Sequence, residues 1–467
     1  MDYNQCHNTM NTPTQSNTSV IESEQHRLDT LDRLLEQDAT QNNIEYHTFL
    51  SNHLSHALIA LYHLHASSTR MAEFSQYYTN KLLESIPGDD KHRAVSITSD
   101  NYTEYQGMKK YYYQYQQFFH NQLKSIQSTS NTITINQSVK LLVQRYGIQL
   151  VGGSSNSALH PLIHTGFALS APASHTESAV CAGLAYMCYA YKSMSEYQND
   201  ESLEYSIDTC KQIPLYNTKS IYQVLQSAID VFQPLVKQIK HKASSEPYSL
   251  INCGSFQRPM RVIAEQYSKL LHHVDAQLYI SDDMTEFDNL LEEILLLAIS
   301  LYTLSDNDFF VLHMVTATYA VKNIVSCFDD VQQKQIVLRY ACKYLLATYV
   351  AQHLPASHST ILQSVLLSNN LRSYIKYIVQ HNENIQLLDW KSIIHYTISR
   401  SCLDEHTHKL VHILKLMHDH HNDNEDIQQL MQYAASYRIY HDMHSDSNQG
   451  YIEKYYNILM KQIKSIF

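Results

Sequence analysis

Glycine and proline, the residues that most often interrupt regular backbone structure, are rare in this chain, with 9 of each among 467 residues. A low content of these helix-breaking residues favours long helices joined by short polar turns. Hydrophobic residues make up 44% of the chain and charged residues 17%, which is enough apolar material for a large folded core. The sequence therefore predicts an all-α fold, a large multi-helix single domain over 22–467. A disordered tail rich in Asn, Ser and Thr is predicted over 1–21.

The charge and the cysteine content limit which partners and which cellular compartment we expect for this protein. The formal net charge is −11 and no block of Lys and Arg stands out, so we expect no nucleic acid and no anionic membrane surface as a partner. The eight cysteines form no CxxC pair, which is typical of reduced thiols. No secretory signal is visible, and the most apolar segment, 290–302, is shorter than the roughly 20 residues that span a bilayer. We expect a cytoplasmic protein; its oligomeric state is left open.

Apolar residues recur at three-and-four spacing along most of the chain, the pattern of helices that bury one face. Pro161 marks one helix start, because proline is well tolerated in a first turn, and Pro234 predicts a kink. The predicted helices lie at about 22–66, divided near 41–43, and at 69–86, 139–146, 176–194, 219–240, 260–274, 284–304, 308–328, 331–352, 357–367, 371–381, 391–402, 406–418, 426–437 and 451–466.

Aromatic side chains are concentrated between positions 100 and 124. They are Tyr102, Tyr105, Tyr111, Tyr112, Tyr113, Tyr115, Phe118 and Phe119. Rings at such spacing usually pack helices together, but they can also form a wall that stacks on a flat aromatic ligand. The sequence leaves both interpretations open.

A pair of histidines is the first indication of chemistry. His160 stands at the start of the helix marked by Pro161, and His164 lies one turn further on, so both rings share a face and can hold one metal ion. Chance is a rival explanation, because 28 His in this chain give about 1.7 pairs at any chosen spacing. The metal-binding hypothesis for this pair is strengthened only if other histidines lie close to it in the fold.

Three further histidines are candidates to join that pair. His53 lies at the edge of the apolar stripe of its helix, and His56 lies about 60° further round, so both can face one interior. His313 belongs to a helix that is apolar on almost every side, so it must be buried and must find a partner. A backbone carbonyl or a tyrosine satisfies such a ring as well as a metal does.

Lys409 is placed unexpectedly for a lysine. The helical wheel puts Lys409 and His406 on the apolar side of their helix. Such a lysine commonly buries its stem and extends its ammonium to water. If it is enclosed instead, burial favours the neutral amine, which can act as a base or take up carbon dioxide as a carbamate.

Four of these stretches carry a resemblance to a known family. NHLSHALIALY at 52–62, HPLIHTGF at 160–167, HMVT at 313–316 and DEHTHKLV at 404–411 resemble, in this order, the motifs of the questin oxidase-like family. The likeness spans about 52–411, and its most specific part is 160–167. This family commonly has a Leu-Gly-Ala turn after its first motif, where this chain has Leu64-His65-Ala66.

The resemblance implies an all-helical oxidoreductase with a buried, His-lined cavity. Fungal members act in secondary metabolism as monooxygenases that open rings of anthraquinone-type polyketides, in Baeyer–Villiger-like reactions dependent on NADPH. A non-haem iron held by histidines and a carbamylated lysine is the implied site. We therefore expect iron and NADPH as cofactors, and an aromatic polyketide-type molecule and dioxygen as partners. The expected metal-binding residues are His53, His56, His160, His164, His313 and Lys409, with Lys409 and His406 as catalytic residues.

Other enzyme classes lack their motifs. No glycine-rich turn between a strand and a helix is present to seat a dinucleotide, and no G-x-S-x-G elbow is present for hydrolysis. The alternative to an oxidoreductase is a non-catalytic helical binding or scaffold protein that keeps the fold. An enzyme requires the histidines and Lys409 to converge on one cavity, whereas a scaffold lets them scatter.

Overall fold

The computed structural model describes residues 22–47, 50–88, 95–129, 132–172, 177–192, 220–245, 257–305, 307–352 and 385–444. The tail predicted over 1–21 and the helices predicted at 357–367, 371–381 and 451–466 lie outside these ranges.

The first part of the chain forms helices around one short hairpin. The α-helices are α1 (Glu24–Gln41), α2 (Leu54–His63), α3 (Ser68–Lys81), α4 (Tyr112–Ser128), α5 (Ile135–Val151), α6 (His160–Ser170) and α7 (Glu177–Tyr189). Strands β1 (Glu45–Tyr46) and β2 (Leu50–Ser51) pair antiparallel between α1 and α2. Short 3₁₀ turns lie at Tyr102–Tyr105, Lys109–Tyr111 and Ser157–Leu159.

The remainder of the described chain is helical as well. Its α-helices are α8 (Ile221–Phe232), α9 (Val236–Ser245), α10 (Gln257–Gln266), α11 (Ser268–Asp275), α12 (Met284–Leu304), α13 (Phe309–Val325), α14 (Val331–Ala351), α15 (Trp390–Ile398), α16 (Glu405–His420) and α17 (Glu425–His444). The all-α fold class is confirmed.

Side-chain caps explain where many of these helices begin. Aspartates stand at the N-caps of α12, α13, α14, α15 and α16, where each carboxylate accepts a hydrogen bond from a backbone N–H of the first turn. Thr134 and Gln137 form a capping box at the start of α5. Because of this capping box, α5 begins before position 139, where the sequence predicted its start. The helix also continues past its predicted end at position 146.

Most predicted boundaries are close to the observed ones. Pro161 lies in the first turn of α6, and the kink predicted at Pro234 is a 3₁₀ turn, Gln233–Leu235, between α8 and α9. The single helix predicted at 260–274 is wrong, because the backbone leaves helical geometry at Tyr267 and separates α10 from α11. The aromatic residues after position 100 pack against one another, with the rings of Tyr102 and Phe118 stacked 5.8 Å apart.

Four helices surround the centre of the fold. Helix α2 packs against α6 and α16, and α13 also packs against α6 and α16, so the four helices close a ring. Helix α7 covers α6 from outside, α12 and α14 pack on α13, and α17 packs on α16. The ring is enclosed by other helices, which is why its inner side chains are buried.

Gly166 sets the close packing of α6 against α13. A Cβ atom at this position would lie 2.3 Å from the Cα of Ala320, far inside van der Waals contact. Only glycine lets the two backbones approach this closely. The spacing of α6 and α13 determines how near their inward-facing side chains come to one another.

No helix of the described ranges has both the length and the hydropathy needed to cross a bilayer.

Candidate metal centre

Each of the four ring helices contributes histidines to its interior. They are His53 and His56 from the start of α2, His160 and His164 from α6, His313 from α13, and His406 from α16, which also contributes Lys409. Every one of these side chains belongs to a residue that is at most 5% exposed. The sequence-predicted site residues are therefore all buried in the interior.

The N-terminus of α2 is fixed by a buried polar contact. Asn52 accepts a hydrogen bond from the backbone N–H of Leu54 and donates to the carboxylate of Asp38 at 2.7 Å. His53, the N-cap residue, makes no capping bond with its side chain. Its ring is thus left to point into the centre.

The turn before α6 holds its backbone in an uncommon conformation. Ser157, Ala158 and Leu159 all have φ between 49° and 66°, in the left-handed region that costs a non-glycine residue about 1–2 kcal/mol. This turn brings the Ser157 carbonyl to the Nδ1 atom of His160, which donates to it. The strained backbone thereby orients the ring of His160, a feature with no glycine or other signal in the sequence.

The three rings of His53, His160 and His313 meet at their Nε2 atoms. His160 Nε2 lies 2.6 Å from His53 Nε2 and 3.0 Å from His313 Nε2. Ring nitrogens of His53, His313 and His406 also all lie within 4.8 Å of one another. Four imidazoles from four helices therefore lie close together, with His53 and His313 common to both sets of contacts.

The hydrogen bonds of two rings fix their tautomers. His160 Nδ1 donates to the carbonyl of Ser157, and His313 Nδ1 donates to the carbonyl of Phe309 at 2.6 Å. In a neutral imidazole only one nitrogen carries hydrogen, so both Nε2 atoms bear a lone pair. Two acceptors facing each other at 3.0 Å cannot form a hydrogen bond. Their natural complement is a cation, as in metal sites where the other ring nitrogen donates to a carbonyl.

Protonation of one ring would let it donate a hydrogen bond across the contact between the Nε2 atoms of His160 and His313. At neutral pH, however, the rings are not protonated. Burial, reinforced by Lys409, holds the pKa of His53 and His160 well below the usual 6.5. Burial likewise lowers the pKa of His313, and it lowers that of His406 to about 3. The Nε2 atom of His406 makes no hydrogen bond to the described residues. The rings are thus neutral and can bind a metal ion.

His56 and His164 form a separate pair beside this group. Their rings lie 4.6 Å apart, edge to face, and the ring of His56 stacks on that of His53 at 5.6 Å. Neither ring nitrogen of His56 is hydrogen-bonded within the described part of the chain, and His164 Nε2 lies 3.3 Å from the Ser55 hydroxyl. In the described chain, neither His56 nor His164 belongs to the group of residues whose ring nitrogens lie within 4.8 Å of one another.

A polar cavity of about 230 Å³ adjoins this pair. Its lining includes the side chains of His164, Ser55, Asn52 and Asp38. Burial raises the pKa of Asp38 to about 6. A larger cavity of about 340 Å³ lies on another side of α13, but its lining is almost entirely apolar and includes none of the histidines. The polar cavity contacts His164 but none of the four histidines His53, His160, His313 and His406.

Charged groups of α16 lie directly against the histidines. Lys409 Nζ lies 3.3 Å from His53 Nδ1, and Glu405 Oε1 lies 3.4 Å from the same atom and 3.3 Å from His406 Nδ1. Burial lowers the pKa of Lys409 to about 8, although Glu405 opposes this shift. Burial together with Asp404 raises the pKa of Glu405 to about 8. Sequence reasoning missed Glu405, although its position one turn before Lys409 on the same face could have indicated it.

A buried arginine supports the start of α16. Arg438 donates to the Asp404 carboxylate at 2.9 Å and to Thr407 Oγ1 at 2.8 Å, and its guanidinium lies 3.0 Å from the Asp442 carboxylate. Burial opposes ionisation of Asp404, but Arg438 and His406 hold its pKa below the usual value. Asp404 in turn contacts His406 Nδ1 at 3.2 Å. The network orients the ring of His406.

Comparison with known families shows the family to which the chain belongs. A family model described as Questin oxidase-like matches residues 50–414, most of the chain, including the six histidines and Lys409. The chain belongs to the questin oxidase-like family. No curated protein matches this sequence. Membership in the questin oxidase-like family indicates oxidoreductase activity, as the sequence predicted, and gives no support to a scaffold that only keeps the fold.

Proposed function

We propose that this questin oxidase-like protein is a metal-dependent oxygenase that oxidises or cleaves a ring of an aromatic polyketide-type molecule with dioxygen. The observation that carries the proposal is the meeting of the His160 and His313 Nε2 lone pairs at 3.0 Å in a buried site. Four neutral imidazoles are a donor set that suits iron, copper, zinc and nickel alike. Iron is the choice that the family resemblance favours.

His53, His160, His313 and His406 are the residues that would hold the ion. A bound iron ion supplies the binding and reduction of dioxygen, chemistry that no protein side chain provides. Carbonyl groups at Ser157 and Phe309 keep the Nδ1 hydrogens of His160 and His313 in place, so that their Nε2 atoms stay available. The surrounding helices exclude water from the site.

Lys409 completes the donor set in this proposal. Its lowered pKa favours the neutral amine, which adds to carbon dioxide with formation of an N–C bond and loss of one proton, leaving an anionic carbamate. Glu405 is the nearest carboxyl group to the histidines and can hold or release a proton at Oε1, because burial raises its pKa to about 8. A carbamate on Lys409 predicts that metal loading increases with added bicarbonate, and that Lys409→Arg loses this increase.

The substrate approaches, in our proposal, through the polar cavity beside His164. The cavity has room for no more than about one water molecule, so side chains must move to admit an aromatic ring system. In the monooxygenase reaction one oxygen atom enters the substrate and the other leaves as water. That balance consumes two electrons and two protons. NADPH, which the resemblance implies, would supply both electrons and one proton as a hydride, and solvent would supply the second proton.

Metal analysis and oxygen uptake test the proposal together. The full chain is reconstituted with iron(II), and oxygen consumption is followed with NADPH and a panel of anthraquinones. We expect bound iron and substrate-dependent uptake, both lost in the double variant His160→Ala with His313→Ala. His412→Ala is the matched control, because it removes an equally buried imidazole of α16 that lies outside the four-histidine group. Unchanged iron content in the double variant would refute the site.

A further inference from the structure

A second group of metal-binding side chains lies near the surface, at the opposite end of α16. His420 is the last residue of α16 and His421 is its C-cap, and both approach Glu292 of α12. Glu292 Oε1 lies 2.7 Å from His421 Nε2, and Oε2 lies 3.5 Å from His420 Nε2. One atom from each residue falls within 4.8 Å of the other two.

The contact between Glu292 and His421 is not an ordinary hydrogen bond. His421 Nε2 is hidden from solvent and has no hydrogen-bond partner in the described chain, although a carboxylate oxygen lies 2.7 Å away. The N–H direction of the ring therefore does not point at that oxygen. The side chain of His421 is only 13% exposed, and within the described residues no hydrogen bond accounts for the position of its Nε2 atom.

The donor types at this site are those of zinc. Two imidazole nitrogens and one carboxylate, with a fourth position open to water, form a set that Zn²⁺ takes in tetrahedral sites. Magnesium and calcium prefer oxygen ligands alone, so they should bind poorly here. His420 is 63% exposed and leaves the fourth position accessible to solvent.

Position on the helix also favours a cation. The last carbonyl groups of an α-helix carry a partial negative charge, and α16 is 16 residues long. His420 and His421 stand at this end, whereas the buried site is built at the other end of the same helix. An ion held here would cross-link α16 to α12.

We propose that Glu292, His420 and His421 bind one Zn²⁺ ion that clamps the end of α16 to α12. This site is separate from the buried histidines and does not depend on the proposed oxygenase activity. Binding selects the folded state, in which the three ligands are together, so zinc should raise the thermal stability of the protein.

Zinc titration of the full-length, metal-stripped protein tests the proposal. Affinity and stoichiometry are measured against a chromophoric chelator for the parent, Glu292→Gln and His420→Ala. His26→Ala is the control, because His26 is 65% exposed and pairs with Glu22 at 3.6 Å without a third ligand. All four proteins keep the buried histidines, so any zinc bound there contributes equally.

We expect Glu292→Gln and His420→Ala each to weaken one zinc-binding event by at least about tenfold, because even the loss of a residue that only orients a ligand costs about 10–100-fold in metal affinity. Zinc should raise the Tm of the parent and of His26→Ala but raise it less in the two site variants, and magnesium should have no such effect. His420 is largely exposed, so its replacement does not unfold the protein. Equal zinc affinity and equal Tm shifts in all four proteins would overturn the proposal.

Discussion

The Nε2 atoms of His160 and His313 lie 3.0 Å apart, although each ring already donates its only hydrogen to a backbone carbonyl. Such an arrangement is unfavourable in the absence of a cation, because two lone pairs face each other in a buried space. A metal ion that both atoms bind removes the conflict. The protein should therefore be more stable with metal than without it.

Iron(II) should stabilise the metal-stripped protein, and His313→Phe should abolish this effect. A ligand at 100 times its Kd adds about 2.7 kcal/mol to the free energy of unfolding. The phenylalanine ring fills the same space but offers no nitrogen. Anaerobic thermal unfolding with and without iron(II) measures the shift. His412→Phe should keep the shift, and an iron-dependent shift in His313→Phe equal to that of the parent would contradict the assignment.

Replacing Gly166 with alanine should force α6 and α13 apart. The new Cβ atom meets the backbone of Ala320 at 2.3 Å, which no rotamer change relieves. We expect a loss of about 1–3 kcal/mol in the free energy of unfolding, the usual effect of overpacking, together with weaker iron binding. Urea unfolding and metal analysis measure the two effects. Gly88→Ala is the control, because nothing lies within 4 Å of its added atom.

Arg438→Met should be strongly destabilising. It leaves the carboxylates of Asp404 and Asp442 buried without their cation, and breaking a buried ion pair costs about 3–5 kcal/mol. Urea unfolding should show this loss, and adding Asp404→Asn should recover part of it. Arg400→Met removes an arginine whose side chain is 78% exposed, so it should cost about 1 kcal/mol or less. Similar losses in the two single variants would argue against the network.

His412 should make the protein sensitive to acid. Burial, aided by His63, which stacks on it at 4.8 Å, lowers the pKa of His412 to about 3, while its polar partner Tyr319 lies 3.1 Å from Nε2. Between pH 6.5 and 3 the unfolded chain binds a proton here that the folded protein does not, so stability is lost as the pH falls.

His412→Phe removes this titration. The difference in free energy of unfolding, variant minus parent, should be about 2 kcal/mol larger at pH 5 than at pH 7.5. The cost of the substitution itself is the same at both pH values, so it cancels in this comparison. Urea unfolding at the two pH values, with EDTA present, measures the change. The same difference between variant and parent at both pH values would show that His412 gains its proton at an ordinary pKa.

His65 occupies a backbone conformation that favours glycine. Its φ is 62°, and it lies where the family commonly has glycine in a Leu-Gly-Ala turn. His65→Gly should relieve about 1–2 kcal/mol of strain and lose about 0.5–1 kcal/mol to the greater freedom of the unfolded chain, a net gain of up to about 1.5 kcal/mol. His65→Ala keeps the strain and should show no gain. The urea denaturation midpoints of the parent, His65→Gly and His65→Ala measure these effects. A midpoint of His65→Gly below that of the parent would contradict the prediction.

Local sequence patterns determined the helices and much of the candidate set. Sparse glycine and proline and the position of Pro161 are local signals, so they predicted an all-α fold and the start of α6. The aspartates that cap five later helices are local signals as well, but the sequence analysis did not use them. The family motifs brought the six histidines and Lys409 into one hypothesis. That these residues bind a metal stays a prediction.

Only the tertiary structure decided how the site is arranged. Three features distinguish the group His53, His160, His313 and His406 from the pair His56 and His164. They are the close approach of α6 and α13 at Gly166, the left-handed turn at 157–159, and the carbonyl partners of His160 and His313. Helix packing and backbone strain depend on residues far apart in the chain. No local pattern could therefore show which nitrogen of each ring faces the centre.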